Sequence, residues 1–122
     1  MTRPSILIID DTFVKASYRA LLEDHGFSCH EVNDASSAVF LLSNDQSIAL
    51  VLCDMNLPRS AALTFLETIQ TDDRLKRMPI LMVANGAFPE LIYRGTKLGV
   101  RQWILKPFKN EQLVAAVKKA IE

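Results

Sequence analysis

A single α/β domain is predicted: a mainly parallel five-stranded sheet, doubly wound, with helices on both faces. Three observations predict it. Short apolar runs alternate five times with longer segments of helical period, the pattern of βα units joined by right-handed crossovers. The central run, Ile48–Cys53, is almost purely aliphatic, as expected for a strand buried on both faces. Three runs also end in charge: Ile6–Ile9 at Asp10-Asp11, Ala49–Cys53 at Asp54, and Gln102–Leu105 at Lys106-Pro107. In open parallel sheets the crevice beyond the strands' carboxyl ends is where ligands bind.

Element by element, Ser5–Ile9 reads as the first strand. Val14–His25 reads as a helix with Val14, Tyr18, Leu21 and Leu22 inward and Gly26 as its stop. Ser28–Val32 is a weaker second strand. Asp34 is the candidate cap for a helix over Ala35–Leu42 that turns Val39, Leu41 and Leu42 inward. After Pro58, Ala61–Gln70 carries Leu63, Leu66 and Ile69 on one stripe. Ile80–Val83 is the fourth strand, and Pro89 suits the first turn of a helix running to about Leu98, ended by Gly99. Arg101–Leu105 is the fifth strand. Asn110 is the candidate cap of a last helix with Leu113, Val114, Val117 and Ile121 as its apolar stripe.

Composition narrows the function. The chain's 122 residues suit one domain with a real core, and 49% hydrophobic with 23% charged residues is a globular balance. Lys plus Arg equals Asp plus Glu at 14 each, which argues against nucleic-acid or anionic-membrane binding. No apolar stretch approaches the roughly 20 residues of a membrane span. Met1-Thr2-Arg3-Pro4 leads straight into a strand without a signal-peptide core. Cys29 and Cys53 lack metal-ligand spacing, and Cys53 reads as a small buried hydrophobe. A cytoplasmic location is expected.

Three carboxylates and an ammonium at one rim suit a hard divalent cation and a phosphoryl group. The Asp10-Asp11 pair, Asp54-Met55-Asn56-Leu57-Pro58 and Lys106-Pro107-Phe108 resemble, in order and spacing, the receiver domain of two-component response regulators. The resemblance covers essentially the whole chain, so one receiver domain over residues 1–122 with no effector domain is expected. It implies the flavodoxin-like strand order 2-1-3-4-5, which flavodoxin and the chemotaxis response regulator share.

The resemblance also implies roles. Asp54 matches the phosphoacceptor, which takes a phosphoryl group from a sensor histidine kinase or a phosphotransfer protein. Asp11 matches the principal Mg²⁺ ligand, with Asp10 acting mainly through a metal-bound water and the Asn56 backbone carbonyl completing the protein ligands beside Asp54. Lys106 matches the lysine that pairs with Asp54 and then with its phosphate, and Pro107 follows the usual cis bond. Such a chain is a signalling phosphoacceptor with self-catalysed transfer and dephosphorylation rather than an enzyme acting on a separate substrate. Partners are implied at the face of the fourth helix, fifth strand and fifth helix, where a homodimer is one arrangement. Lys97, Arg101, Lys118 and Lys119 give that face a basic edge or simply a solvated one.

Two departures stand out. Ala84 ends the fourth strand where receivers usually carry Thr or Ser, and Trp103 stands where Tyr or Phe is commoner. Alanine offers no hydroxyl to the phosphoryl group, so weakened or rewired coupling is expected, with Trp103 either a switch residue or core filling. Arg59-Ser60-Ala61-Ala62 replaces the usual small or acidic residues ending in Gly. Arg59 there either steers phosphate or is a solvated loop cation.

Bland alternatives exist for the acids, since Asp10-Asp11 is also a good turn and cap. His25 reads as a helix C-terminal residue and His30 has no ligand spacing. The competing functional reading is an atypical receiver that binds partners regardless of phosphorylation. A flavin-binding fold is disfavoured by the acidic turn Asp10-Asp11-Thr12-Phe13, and an aspartyl-phosphate hydrolase by the lack of an Asp-x-Asp motif.

Overall fold

The computed structural model describes residues 3–122; Met1 and Thr2, part of the N-terminal stretch read above, lie outside them. Five parallel strands form one sheet in the order 2-1-3-4-5. They are β1 (Ser5–Ile9), β2 (Ser28–Val32), β3 (Ile48–Asp54), β4 (Ile80–Ala84) and β5 (Val100–Leu105). The helices are α1 (Val14–Asp24), α2 (Ala35–Asn44), α3 (Ala61–Gln70), α4 (Pro89–Lys97) and α5 (Asn110–Ile121). Single 3₁₀ turns at Pro58–Ser60 and Leu75–Arg77 flank α3.

Period-2 alternation on the central strands feeds two cores. Leu7, Ile9, Val51, Cys53, Ile80 and Met82 face α2 and α3, meeting Leu42, Phe65, Leu66 and Ile69. Ile6, Ile8, Leu50, Leu52, Leu81 and Val83 face α1 and α5, meeting Tyr18, Leu22, Leu113 and Val117. Both faces of β1, β3 and β4 are therefore dry, which is why their runs are continuously aliphatic.

Several expectations shift by a residue or a face. On α1, Val14 is 37% exposed, because the inward stripe narrows to Tyr18 and Leu22. On α2, capped as expected by Asp34 Oδ1 accepting from the Ser37 N–H at 2.8 Å, Ala38 and Leu42 are the fully buried pair and Val39 and Leu41 only half-buried. Asn110 is not the cap of α5. Lys109 holds that position, and the Gln112 side chain reaches back to accept the Lys109 N–H at 2.6 Å. On the same helix Ala120 is fully buried and Ile121 only half-buried. The stops at Gly26 and Gly99 are real, with φ of 93° and 103°, backbone that favours glycine.

Candidate functional site: a carboxylate–lysine rim on the sheet

The parallel ladder carries one rung past each strand into the chemistry. The Asp10 N–H donates to Val32 O (3.2 Å), the Met55 N–H to Val83 O (2.7 Å) and the Lys106 N–H to Ala84 O (2.8 Å). With Ile9 opposite Cys53 and Asp54 opposite Val83, the rim sets Asp10, Asp54, Ala84 and Lys106 on successive strands. The Lys106-Pro107 peptide is cis.

Asp54 is 5% exposed and both its oxygens are engaged: Oδ1 accepts the Asn56 N–H at 2.7 Å, and Oδ2 lies 3.0 Å from Lys106 Nζ. Burial is the largest single influence on Lys106 and lowers its pKa. The hydrogen bond and charge of Asp54, aided by Tyr18 and Asp10, outweigh it and hold the ammonium above the ordinary lysine value. Tyr18 packs its ring 5.9 Å from Phe108 beneath this site. Its phenol is raised, first by burial and then by Asp10 and Asp54, against the opposing pull of Lys106.

Asp10 is 1% exposed, and its Oδ1 accepts from both the N–H (2.8 Å) and the hydroxyl (2.7 Å) of Thr12. Its Oδ2 is buried with no hydrogen-bond partner among the described residues. A buried, unpaired carboxylate oxygen next to a second carboxylate is costly unless a cation or donor meets it. Asp11, by contrast, is exposed and lines a cleft of about 250 Å³ with Asn33, Asp34, Leu57, Pro58, Arg59 and Ala61. Among the described residues, no three Asp, Glu, His or Cys side chains converge into a ready cage for a metal. Mg²⁺ keeps several waters and takes only one or two carboxylates, so it needs no such cage. The hard-oxygen donor set and the orphaned Asp10 oxygen fit it.

Ala84 is buried, with 4% exposure. Between it and Trp103 lies a gap of only about 10 Å³, lined also by Met55, Gly86, Phe88 and Leu91. The Trp103 ring is half-buried and rests on Gly95 of α4, where a Cβ would stand 2.6 and 2.8 Å from Cζ2 and Cη2 of the ring. Its indole N–H donates to Thr96 Oγ1 at 3.1 Å.

Just beyond the rim, Arg59 and Ser60 both adopt left-handed backbone, at φ of 60° and 56°. For non-glycine residues that costs about 1–3 kcal/mol each.

Residues 6–118 match the response regulator receiver domain, 113 of the chain's 122 positions. The chain belongs to that family. This receiver is 32% identical over 119 residues to the chemotaxis protein CheY of Pseudomonas aeruginosa, covering 96% of this chain and 95% of that one. It superimposes on the structure of Vibrio cholerae CheY4 with a TM-score of 0.90 at 22% identity, covering 98% of this chain and 99% of that one. It also superimposes on the receiver domain of the sensor histidine kinase PA1611 of Pseudomonas aeruginosa, which holds a magnesium ion in its cleft. There the TM-score is 0.86 at 21% identity, covering 99% of this chain and 98% of that one.

Of the residues singled out in the sequence, Asp10, Asp54, Ala84 and Lys106 share the rim, while Asp11, next in the chain after Asp10, lines the cleft with Arg59. Thr12, Gly95 and Thr96 were missed. Gly95 carried a signal, because a glycine inside a helical pattern usually marks a close packing contact. Arg101 is not a free member of a basic edge: its guanidinium donates to Ala120 O at 2.7 Å at the end of α5. Lys97 lies 5.0 Å over the Tyr93 ring. Burial pushes the Cys29 thiol up to about 11 and raises Cys53 as well, which suits structural cysteines.

Proposed function

We propose that this receiver accepts a phosphoryl group on Asp54 from a phosphohistidine of a sensor histidine kinase or phosphotransfer protein, in the cytoplasm, and that the coupling of this event to the partner face is weak. The observation that carries the first part is the Asp54 carboxylate, held at the rim by the Asn56 N–H and by Lys106 3.0 Å from Oδ2. A carboxylate oxygen attacks phosphorus, the P–N bond breaks, and its electron pair returns to the imidazole, which takes a proton from solvent. Lys106 then stays to neutralise the phosphoryl oxygens, since this chemistry depends mainly on positioning and charge. Asp10, Asp11, Asp54 and the Asn56 carbonyl would hold Mg²⁺, which when bound supplies further charge neutralisation and alignment. The protein acts on itself rather than on a separate substrate.

The weak coupling is supported by Ala84 and Trp103. A side-chain hydrogen bond to a charged group is worth about 1.5–3 kcal/mol. That compares with typical coupling energies of about 1–3 kcal/mol. Without the hydroxyl, that contribution to the switch is lost, and Trp103 already has its own anchorage on α4. The surface of α4, β5 and α5 then serves an output partner or a second copy with little regard to Asp54.

Incubation with acetyl phosphate and Mg²⁺ should add one phosphoryl group at Asp54, read by mass spectrometry, and Asp54→Asn should take none. Partner affinity with and without a phosphoryl mimic should differ by less than about tenfold. A hundredfold difference would refute weak coupling. Ala84→Ser, which adds one oxygen at a gap of about 10 Å³, should increase the difference.

A further inference from the structure

We propose that Arg59 is a donor-positioning residue: its guanidinium binds the phosphoryl dianion of the incoming donor and presents it to Asp54. The proposal rests on the reading of Asp54 as acceptor and adds to it a residue that selects for doubly charged phosphoryl donors. Three observations carry it. Arg59 lines the same cleft of about 250 Å³ as Asp11, the residue that follows Asp10 of the rim, and the hollow is largely apolar. It is exposed and has neither an ion-pair nor a hydrogen-bond partner among the described residues, although Asp11 and Asp34 line the cleft with it. Lys106 is engaged by Asp54 and Lys15 by the Thr12 carbonyl, so those two cations are already committed. Finally, Arg59 and the next residue hold a left-handed backbone that glycine would adopt more easily, and strained backbone of this kind clusters at ligand clamps.

The electrostatics give the residue work to do. Asp10, Asp11 and Asp54 with Lys106 sum to a formal charge of 2− (three acids less one ammonium), which repels a dianionic donor. A guanidinium at the mouth reduces that to 1− and offers a planar fork matched to phosphoryl oxygens. With acetyl phosphate the step balances without a proton. The Asp54 oxygen–phosphorus bond forms as the phosphorus–oxygen bond to acetate breaks, its electron pair leaves on acetate, and total charge stays at 3−.

The test follows Asp54 phosphorylation of the full chain by acetyl phosphate with Mg²⁺, across donor concentration, for wild type, Arg59→Gly, Arg59→Lys and Arg59→Glu. Thermal melting of each variant is measured alongside. Arg59→Gly should lower the rate at limiting donor about tenfold, Arg59→Lys should recover part of it, and Arg59→Glu should fall further. The maximal rate should stay within about twofold, and the wild-type advantage should shrink as salt rises. Arg59→Gly should melt no lower than wild type, since glycine suits this backbone. Variants that match wild type at limiting donor would overturn the proposal, as would a defect confined to the maximal rate or one that tracks a fall in melting temperature. If wild type itself takes no phosphoryl group, the reading of Asp54 and this proposal fall together; if wild type reacts and the variants match it, only the role of Arg59 falls.

Discussion

Asp10 and Asp54 occupy adjacent strand ends with different degrees of satisfaction. Asp54 has partners on both oxygens, whereas Asp10, at 1% exposure, has Thr12 on one and no partner on the other among the described residues. A buried, unsatisfied charge beside a like charge is a standing loss of stability that function tolerates. Asp10→Asn should therefore raise the unfolding free energy by about 1–2 kcal/mol in urea titrations without divalent cation. In the same titrations added Mg²⁺ should stabilise wild type by mass action and the variant much less. A less stable Asp10→Asn protein would mean that Oδ2 is satisfied in solution by some other route. The common placement of Asp10, Asp54 and Lys106 was legible in the sequence because each stands at the carboxyl end of an apolar run, and parallel strands bring those ends to one rim. The Thr12 clasp on Asp10 was not, since a threonine in an acidic turn has several competing local partners.

At the scale of elements, α4 and β5 are joined through one side chain. Gly95 leaves a notch in α4, Trp103 of β5 fills it, and Thr96 accepts the indole N–H. Gly95→Ala removes a helix-interior glycine, worth about 1 kcal/mol in propensity. It also sets a methyl 2.6 Å from the ring, closer than real contacts allow. Overpacking of this kind costs about 1–3 kcal/mol, so the variant should melt lower despite the better helix former. A higher melting temperature would show that the ring moves away freely. This junction was hidden from sequence because it depends on which helix turn meets which strand residue. The left-handed pair Arg59 and Ser60 was hidden as well, since neither residue type announces positive φ. The α5 cap was misplaced for a simpler reason: Asn110 is a preferred capping residue type and lysine is not, yet the helix takes Asn110 as its first residue and the Gln112 side chain satisfies the N–H of Lys109 at the cap.

For the whole molecule, the two-sided core was readable because the central strands are aliphatic on both faces and the helices carry single stripes, whereas the strand order came from the receiver resemblance and not from the pattern. Turns and caps contribute to the acid limit of stability. Backbone N–H donation holds Asp34 (from Ser37) and Asp72 (from Leu75 and Arg74) below the usual carboxylate range, and the Ser47 hydroxyl and N–H do the same for Asp45. Their folded values are depressed, so the stability they add is present above the unfolded value of about 3.9 and lost as pH falls through the folded ones. Melting temperature should fall below about pH 4, and replacing all three with Asn, which also caps and turns well, should flatten part of that decline. A decline of unchanged steepness in the triple variant would assign it to other carboxylates.

The notch in α4 has one more consequence. Trp103 is the only tryptophan in the chain. Its ring is seated on a helix rather than free in solvent, so its emission is a built-in gauge of whether α4 stays docked on the sheet. No label needs to be attached to follow that docking while Asp54 is modified, a cation is added or a partner binds.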